Sequence, residues 1–544
     1  MATESYLDWL NHPQQIILSS LFFVLLCIVV TKLSKRRNKH KDFSVRDPRK
    51  GHRWVVSDFI VKPTYCNACG VSLVRGVFCD TCWICVHDEC EDEGNKQFVC
   101  KLQSVSDQTT PRHQWVKGNL PFCSKCRICN YPCGVEPRLC DYRCLWCQAT
   151  VHEGECYAKD VGICDFGDNK EIILPPYCVS LKLVGWRGRR RYVIKEVRKP
   201  AIKNWRPLLV VVNPKSGGHE GVRLLKAFRG LLNPAQVIDL SEISPEVALE
   251  FCCLLPDIQS RILVCGGDGT VGWILDTIDK VNIPIKPHVG IYPQGTGNDL
   301  ARVLGWGLKY VGDEHELVEL LKDLEEADVV SFDRWCVNIA NTGFFDRKPP
   351  LKTLCMNSYV SVGCDAQVVL NFHKHRETQP FLFTSRILNK FIYFIYGSRD
   401  VLEAQCKNLY ERLELELDGQ SVPLPAVEGI VVLNINSWCG GCQIWDTNEN
   451  GDGSFPPSKF NDGYLEVVGL YSSLHIGKIQ VGLANALQIG RARQVRITVK
   501  KTKDAKNVPM QVDGEPWEQG PCVITVNRQS QALLLQKANL NVSS

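Results

Sequence analysis

The segment RILVCGGDGTVGWILD, residues 261 to 276, carries the clearest chemical signal in the chain. Four apolar residues lead into three glycines around Asp268, and an apolar pattern at helical spacing then resumes. Glycines between a strand and a helix let backbone N–H groups at the helix N-terminus face an anion, as phosphate sites require. The pattern is neither a P-loop nor the GxGxxG motif of dinucleotide folds, so it predicts a phosphate-binding turn of another kind.

Two further turns follow the same plan. PLLVVVNPKSGG precedes the helical pattern HEGVRLLKAF, and HVGIYPQGTGND precedes LARVLG. Each unit combines a β-rich strand, a glycine turn and an amphipathic helix, which is typical of a parallel sheet. Such turns lie side by side at the carboxyl ends of the strands, where ligands bind. Three of them together favour a polyphosphate.

Cysteine and histidine supply a second chemistry. Sixteen of the 28 cysteines lie between Cys66 and Cys164, which favours disulfides in a secreted chain and metal in a cytosolic one. CxxC pairs accompanied by a His and a Cys are zinc-ligand spacings, and two sets of eight ligands occur. The first set is His52, Cys66, Cys69, Cys79, Cys82, His87, Cys90 and Cys100, and the second is His113, Cys123, Cys126, Cys144, Cys147, His152, Cys156 and Cys164. The second region also contains the spare thiols Cys129, Cys133 and Cys140.

A pair of carboxylates suits proton transfer. VDGEPW places Asp513 and Glu515 on either side of a glycine. A hydroxyl that accepts a phosphoryl group needs a base to take its proton, and a carboxylate can serve. The alternative interpretation is a β-turn whose acids are simply solvated.

These residues need elements to position them. A chain of 544 residues, 44% apolar, predicts about three or four domains, and its net charge of +5 argues against a dedicated nucleic-acid-binding protein. The fold class expected is multidomain α/β plus β. Residues 52–100 and 113–164 form two small zinc modules, and 205–334 form an α/β nucleotide-binding lobe. Alternating strands such as RLELELDG and GIVVLNI predict an antiparallel, sandwich-like lobe over 335–535. The cleft between the lobes is the expected place for a site that binds two substrates.

The N-terminal region predicts a membrane anchor. Ile16 to Val30 is uncharged, and ten Lys or Arg follow between Lys32 and Arg53. This order predicts a membrane helix over 14–33, single-pass or a shallow hairpin, with a buried helix as the alternative. The positive-inside rule places the remainder, including the catalytic part, in the cytosol. The basic cluster would also favour an anionic lipid surface.

The cysteine-rich tandem resembles C1 domains, the lipid-sensing zinc modules of protein kinase C and diacylglycerol kinases. The resemblance implies interleaved ligands, with one zinc held by His52, Cys79, Cys82 and Cys100 and the other by Cys66, Cys69, His87 and Cys90. Two departures matter. Only VSLVRGVF lies between Gly70 and Cys79, where diacylglycerol-responsive C1 domains carry a longer apolar loop with a Gln-Gly pair, and His152 and Cys156 are separated by three residues. A structural role for zinc is therefore favoured over lipid sensing.

The motifs NPKSG, GGDGTV, PQGTGNDLAR, SVGCDA, NDGYLEV and VDGEPW stand in this order from residue 213 to 517 and resemble the diacylglycerol kinase family. With the N-terminal segment and the zinc tandem, the chain is most similar to epsilon-type enzymes. The resemblance implies transfer of the γ-phosphoryl group of ATP, with Mg²⁺, to membrane diacylglycerol, giving phosphatidic acid. It further implies a preference for arachidonoyl chains and a role in ending diacylglycerol signalling and feeding phosphatidylinositol turnover.

The same resemblance implies roles for individual residues. The phosphate-binding set is Asn213, Ser216, Gly217, Gly266, Gly267, Asp268, Gly269, Thr270, Gly295, Thr296, Gly297 and Asn298. Asp268 would repel phosphate directly, so it is expected to bridge a metal or bind ribose. Asp299 is expected to cap a helix or to link the lobes.

Further roles concern the acceptor side. Glu515 is expected to take the hydroxyl proton, with Asp513 assisting, and Asp365 to lie near the lipid headgroup. Asp462 and Tyr464 are expected to bind a structural magnesium ion.

The alternatives are a sphingosine, ceramide or NAD kinase and, outside catalysis, an inactive zinc-module membrane scaffold. NAD kinases share GGDGT but lack the zinc tandem. The intact glycine turns and both carboxylates of VDGEPW argue against the scaffold. No protein partner is predicted.

Overall fold

The computed structural model describes residues 42–43, 52–58, 64–102, 111–160, 162–185, 191–218, 220–307, 314–341, 351–378, 406–445, 455–501 and 507–538. Within these ranges, none of the helices is both long enough and apolar enough to cross a bilayer. The predicted membrane anchor, residues 14–33, lies outside the described residues.

Each zinc module is a small antiparallel sheet with one short helix. The first comprises β1 (Asp42–Phe43), β2 (Trp54–Asp58), β3 (Arg75–Cys79), β4 (Cys85–Val86) and α1 (Glu91–Gln97). The second comprises β5 (Trp115–Lys117), β6 (Tyr142–Cys144), β7 (Thr150–Val151) and α2 (Glu155–Lys159). A hairpin of β8 (Val179–Val184) and β9 (Arg191–Val197) follows. The cores of the modules are small and rich in cysteine, as is typical of domains that a bound metal stabilises.

The predicted β–turn–α units form a parallel sheet. Its strands, in spatial order, are β11 (Val237–Asp239), β10 (Leu208–Val212), β12 (Arg261–Gly266) and β13 (His288–Pro293). The lobe's helices are α3 (Gly221–Leu231), α4 (Pro245–Cys253), α5 (Asp268–Lys280), α6 (Asp299–Val303) and α7 (Glu314–Glu326). Strands β10 and β12 are buried throughout, as continuous apolar strands covered on both faces should be.

The second lobe consists mainly of antiparallel strands. They are β14 (Asp328–Asn341), β15 (Leu351–Met356), β16 (Tyr359–Gly363), β17 (Leu413–Leu417), β18 (Gln420–Val422), β19 (Gly429–Leu433), β20 (Leu465–Leu470), β21 (Leu487–Ala492), β22 (Gln494–Val499), β23 (Val508–Val512), β24 (Glu515–Gln519) and β25 (Cys522–Gln536). Two helices, α8 (Cys364–Thr378) and α9 (Ser473–Gln480), accompany them. A six-stranded sheet, β21-β20-β19-β16-β23-β24, shares one apolar core with β14, β17, β22 and β25. Two antiparallel layers around one core match the sandwich-like prediction.

The two lobes share one sheet, which the sequence analysis did not predict. Strand β25 pairs with β14 along its length, and Leu534 of β25 also pairs in parallel with Val289 of β13. On its other side β25 pairs with β22, which continues to β17 and β18. The resulting ten-stranded sheet runs from the α/β lobe into the β-rich lobe. Strand pairing over such a sequence distance leaves no local pattern to detect.

Both zinc modules pack against the C-terminal end of α3 in the catalytic half. Trp83 donates its indole N–H to the carbonyl oxygen of Lys226 at 2.8 Å. The buried Lys101 ammonium donates to the carbonyl oxygens of Arg229, at 3.3 Å, and Gly230, at 2.7 Å. These carbonyls have no partner within a helix that is ending, so a cation there is doubly favourable.

The second module reaches the same point, and a buried ion pair completes the contact. Gln148 donates its side-chain amide to the Gly230 carbonyl at 3.0 Å. Arg229 pairs with Asp80 at 2.8 Å, with both side chains largely buried. Burial raises the pKa of Asp80, while Arg229 and Arg53 oppose that shift. The zinc modules are therefore docked on the catalytic half through polar groups that would be costly to expose singly.

Candidate active site and zinc centres

Four groups of side chains each bring four ligand atoms within 4.8 Å of one another. The groups are His52, Cys79, Cys82 and Cys100; Cys66, Cys69, His87 and Cys90; His113, Cys144, Cys147 and Cys164; and Cys126, Cys129, His152 and Cys156. The structure brings together the two interleaved sets implied for the first module, and the second module repeats this arrangement. Three sulfurs and one imidazole nitrogen are a donor set that fits tetrahedral Zn²⁺.

The prediction of Cys123 as a zinc ligand is wrong, because Cys129 takes that place. Cys123 is exposed, whereas Cys126 and Cys129 form the CxxC pair. The N–H of Asn130 donates to the carbonyl of Cys126 at 2.8 Å, with a positive φ at Asn130. Gly70 closes the equivalent turn of the first module in the same way. Cysteines 123, 126 and 129 offer two overlapping CxxC pairs, so spacing alone could not choose between them.

Two of the histidine side chains, His52 and His152, are each oriented by a hydrogen bond of the second ring nitrogen. In both His52 and His152, Nδ1 lies 3.2 Å from a cysteine sulfur of its own group. Their Nε2 atoms each lie 3.0 Å from a backbone carbonyl, that of Phe98 and that of Pro132 respectively. A proton on Nε2 leaves the Nδ1 lone pair free for metal, the usual arrangement around a bound zinc.

The glycine turns after β12 and β13 face each other at the carboxyl end of the sheet. An ideal Cβ placed on Gly267 would lie 2.9 Å from the Cα of Gly295, so a side chain at either position would force the turns apart. Thr270, in the first turn of α5, accepts a hydrogen bond from the side-chain amide of Asn213 at 3.1 Å. The amide of Asn298 is tied to the N–H and the carbonyl of Gly295 at 2.7 and 3.0 Å. The three predicted turns are therefore braced against one another.

A cavity of about 490 Å³ lies between these turns and the second lobe. Its turn side is lined by Gly267, Asp268, Gly269, Gly295, Thr296, Gly297 and Asp299. Its other side is lined by Ser358, Tyr359, Val369, Phe372, His373, Cys439, Gly440, Cys442, Gln480, Asp513 and Gly514. The remaining predicted phosphate-binding residues, Asn213, Ser216, Gly217, Gly266, Thr270 and Asn298, lie in or beside the turns and are not among the lining residues. Backbone amides and carboxylates at one end and apolar side chains at the other suit an amphiphilic ligand beside an anionic one.

Asp268 links the second turn to the third. Its two carboxylate oxygens accept hydrogen bonds from the backbone N–H groups of Asp299 and Leu300, each at 3.2 Å. Burial, and then repulsion by the Asp299 carboxylate, raises the pKa of Asp268 to about 7. The metal-bridging or ribose-binding role of Asp268 stays a prediction, to which the structure adds a capping role at α6.

Asp299 joins the lobes, which confirms one of the two roles expected for it. Its Oδ1 accepts a hydrogen bond from the hydroxyl of Ser437 at 2.6 Å. The backbone N–H of Gly440 lies 3.1 Å from both carboxylate oxygens. Because Asp299 also begins α6, it fixes the third glycine turn to the opposite wall of the cavity.

The two carboxylates of VDGEPW lie in different environments. Asp513 lines the cavity. Its carboxylate oxygens accept hydrogen bonds from the backbone N–H groups of Asn357, Ser358 and Tyr359 at 2.7 to 3.0 Å. Burial raises the pKa of Asp513, and these hydrogen bonds oppose the shift. Glu515 is exposed at the start of β24 and is not among the residues that line the cavity. Its role as the proton acceptor stays a prediction.

Asp365 lies one layer behind the cavity wall. The carboxylate is buried and accepts hydrogen bonds from Ser361 at 2.5 Å and Gln511 at 2.6 Å. Burial raises its pKa. The cavity-lining Cys439 lies between it and the open space, with its sulfur 3.9 Å from the carboxylate. Asp365 was expected near the lipid headgroup; because its carboxylate is covered, it would act there only through the residues in front of it, and that role stays a prediction.

The predicted magnesium site contains an arginine. The carboxylate of Asp462 pairs with the guanidinium of Arg491, which also pairs with Glu466 at 3.1 Å. Arg491 and Arg493 lie over the ring of Tyr464, 4.5 and 5.0 Å from its centroid. With two guanidinium groups there, a divalent cation at Asp462 and Tyr464 does not fit this arrangement.

The apolar wall of the cavity and a titratable side chain within it were not among the predicted site residues. Val369, Phe372 and His373 all belong to α8 and line the cavity. Asp365, Val369 and Phe372 stand at i, i+4 and i+7, so a helical interpretation of CDAQVVLNFHKH would have placed them on one face. Cys439, Cys442 and Gln480 carried no comparable signal.

This arrangement, a parallel sheet whose glycine turns meet carboxylates at an inter-lobe cavity, is typical of nucleotide-binding enzymes with two lobes. Models of the diacylglycerol kinase catalytic domain and the diacylglycerol kinase accessory domain match residues 207–332 and 355–516 respectively. "Diacylglycerol kinase 2" of Arabidopsis thaliana is 30% identical over 634 residues, which cover 93% of this chain and 87% of the relative. The chain belongs to the diacylglycerol kinase family.

Two other similarities differ in their coverage. "Probable diacylglycerol kinase 3" of Caenorhabditis elegans is 36% identical over 531 residues, which cover 90% of this chain and 64% of that relative, just under two thirds of its length. A crystal structure of a diacylglycerol kinase from Bacillus anthracis is 15% identical and covers 61% of this chain and 97% of its own, with a TM-score of 0.35. That score is too low to support an inference.

Proposed function

We propose that this chain transfers the γ-phosphoryl group of ATP to the free hydroxyl of diacylglycerol, producing phosphatidic acid and ADP. The acceptor oxygen forms a bond to the γ-phosphorus, the bond to the ADP oxygen breaks, and the hydroxyl proton passes to a base. The observation that carries the proposal is the cavity in which the glycine turns face the apolar wall of α8. One end suits nucleotide phosphates and the other suits a diacyl lipid, and the family relationship supports this reaction.

The turns would bind the nucleotide. Gly267 and Gly295, two residues without side chains, would let the phosphates come close to the backbone of the turns. Asp268, Asp299 and Asp513 line the same cavity, so a divalent cation would offset their charge. Mg²⁺ would be held here by ATP and these carboxylates, and would neutralise charge on the transferring phosphoryl group. Asp268, whose pKa is about 7, would bind it in the ionised state.

The proton acceptor is assigned within VDGEPW. Glu515 remains the proposed base, with Asp513 holding the turn between β23 and β24 in place through the amides of residues 357–359. Carboxylates often align with a substrate only when it is bound, so an exposed position without ligand is compatible with the role. His373, which lines the cavity, is the candidate if Glu515 is dispensable.

The remaining parts of the proposal concern location and preference. Residues 14–33 would anchor the chain, by one pass or a hairpin, with the catalytic part cytoplasmic and near diacylglycerol in the bilayer. Zinc in both modules would be structural. A preference for arachidonoyl chains, and roles in ending diacylglycerol signalling and feeding phosphatidylinositol turnover, would follow from the similarity to epsilon-type enzymes.

The test is phosphoryl transfer from labelled ATP to detergent-dispersed diacylglycerol, with sphingosine, ceramide and NAD as parallel acceptors. Gly267→Asp should abolish labelled phosphatidic acid, because its side chain would enter the neighbouring turn; Gly162→Asp, in open space, is the control. Glu515→Gln should do the same, while Glu518→Gln, exposed on the same strand, should not. Transfer to sphingosine, ceramide or NAD, but not to diacylglycerol, would show that the proposed substrate is wrong. ATP binding without transfer to any acceptor would favour the inactive membrane scaffold. Phosphoryl transfer that persists in Glu515→Gln would show that another residue takes the hydroxyl proton.

A further inference from the structure

Four apolar side chains are exposed around α9, next to the cavity mouth. Tyr471, Leu474, Val481 and Leu483 are 47, 53, 59 and 77% exposed. We refer to these four residues as the rim patch. Large apolar side chains grouped on a surface cost free energy in water, so such a group indicates something that covers it.

The rim patch is not needed to hold α9 on the protein. The inner face of the helix is formed by Ser473, Ile476 and Ile479, all buried. Leu474 and Val481 are seven positions apart in the sequence and lie on the opposite face, together with the exposed Lys478. The helix thus has one face that is buried in the core and a second apolar face that is exposed to solvent.

Position and charge indicate what would cover this face. Gln480, adjacent to Val481, lines the cavity, and α9 packs near α8, which supplies the cavity's apolar Val369 and Phe372. The rim patch therefore lies beside the cavity, with Gln480 between them. Residues 471–483 contain Lys478 and no acidic side chain. An apolar cluster with a cation suits the headgroup boundary of an anionic bilayer.

We propose that the rim patch is the face on which the catalytic half rests on an anionic lipid bilayer while a diacylglycerol molecule passes from the leaflet into the cavity. The rim patch contains none of the residues of the predicted anchor, 14–33, or of the basic cluster that follows it in the sequence. The proposal rests on the proposed function, because the substrate it delivers is the lipid of that reaction.

The experiment uses the full chain with two forms of the acceptor: diacylglycerol in anionic vesicles, and a short-chain diacylglycerol dispersed in water. Leu474→Asp combined with Leu483→Asp should raise the apparent KM for the vesicle-borne lipid about tenfold, since it removes the burial of two leucine side chains. The KM for the short-chain lipid should not change. The matched control combines Val222→Asp and Val247→Asp, two apolar residues that are 56 and 42% exposed on α3 and α4; it should leave both values unchanged.

Lys478→Glu provides a second variant, since reversing an exposed charge leaves the core intact. It should raise the KM for anionic vesicles and not for neutral ones. Independently of activity, backbone hydrogen exchange of residues 471–483 should be slowed by anionic vesicles in the wild type and in the control, but not in the double variant.

Each outcome separates the two proposals. No phosphatidic acid from either acceptor with wild-type protein would overturn the proposed function, while the exchange measurement would still report on the surface. An active enzyme whose rim variants keep the wild-type KM on vesicles, or lose equally on both acceptors, would overturn the docking proposal. Protection of residues 471–483 that depends on protein concentration rather than vesicles would assign the face to a second copy instead.

Discussion

The contact between Trp83 and Gly230 predicts the sign of the change in stability when Gly230 is replaced by alanine. Gly230 is in the last turn of α3, in ordinary helical conformation, and alanine is favoured over glycine in helices by about 1 kcal/mol. An ideal Cβ on Gly230, however, would overlap three atoms of the Trp83 ring, with Cδ2 at 2.8 Å and two others closer. Gly230→Ala should therefore stabilise the isolated helix and destabilise the protein.

The size of this destabilisation follows from the contacts that the Trp83 ring would lose. Inserting a methyl group into a packed contact costs about 1–3 kcal/mol. If Trp83 moves away, its hydrogen bond to the Lys226 carbonyl is also weakened, at about 1 kcal/mol. Set against the gain in helix propensity, we expect a net loss of about 1–3 kcal/mol in the free energy of unfolding.

The assay is urea denaturation of the full, zinc-loaded chain followed by circular dichroism. Gly230→Ala should lower the midpoint, and Gly162→Ala, at an open position, should not. In the Trp83→Ala background, the same Gly230→Ala substitution should become neutral or stabilising by about 1 kcal/mol, since the obstructing ring is gone. Equal destabilisation in both backgrounds would refute the contact between the zinc modules and α3.

Three further predictions follow from other sites. Cys129→Ser should remove one of four zinc ions per chain measured by elemental analysis, whereas Cys123→Ser should retain all four. Because burial raises the pKa of Asp268 to about 7, above its unfolded value, its contribution favours folding at low pH and is lost as pH rises through about 7. Asp268→Asn should flatten that part of the pH dependence of the thermal midpoint without ligand, and an unchanged slope would contradict the assignment. Asp299→Ala should lower the free energy of unfolding by about 2–3 kcal/mol, because it leaves both inter-lobe donors unpaired, and Ser437→Ala by about 1 kcal/mol, because it removes one of them; a loss in Asp299→Ala no larger than that in Ser437→Ala would contradict the inter-lobe role.

Local patterns predicted the elements that depend on local sequence. The glycine turns and the CxxC pairs were found because strand, turn and helix signals stand within a dozen residues of one another. The choice between Cys123 and Cys129 failed on the same ground, since two overlapping pairs share one spacing. What decides between them is the backbone conformation at Asn130, which is visible only in the folded turn.

Interactions between distant segments could not be predicted. From the sequence, the carboxylate of Asp462 is available to bind a metal ion. Only the fold shows that Arg491 pairs with it. Asp365 is likewise a free acid in the sequence and a covered group in the structure. In both cases a partner comes from a strand that is distant in the sequence, Arg491 from β21 and Gln511 from β23. The motif therefore shows which side chain is available for chemistry but not whether another side chain already binds it.

The shared sheet has a consequence for how the chain is made. Strand β25, residues 522–536, pairs with β13 of the first lobe and with β14 and β22 of the second. A ribosome releases residues in order, so the α/β lobe can collapse early but its sheet keeps an open edge at β13 until this strand emerges. Unpaired strand edges bind other strands, and long-range pairing forms slowly. The interval between synthesis of residue 293 and residue 536 is therefore the period in which a nascent chain needs chaperone protection, and substitutions that slow the docking of β25 should appear first as lower yield rather than lower specific activity.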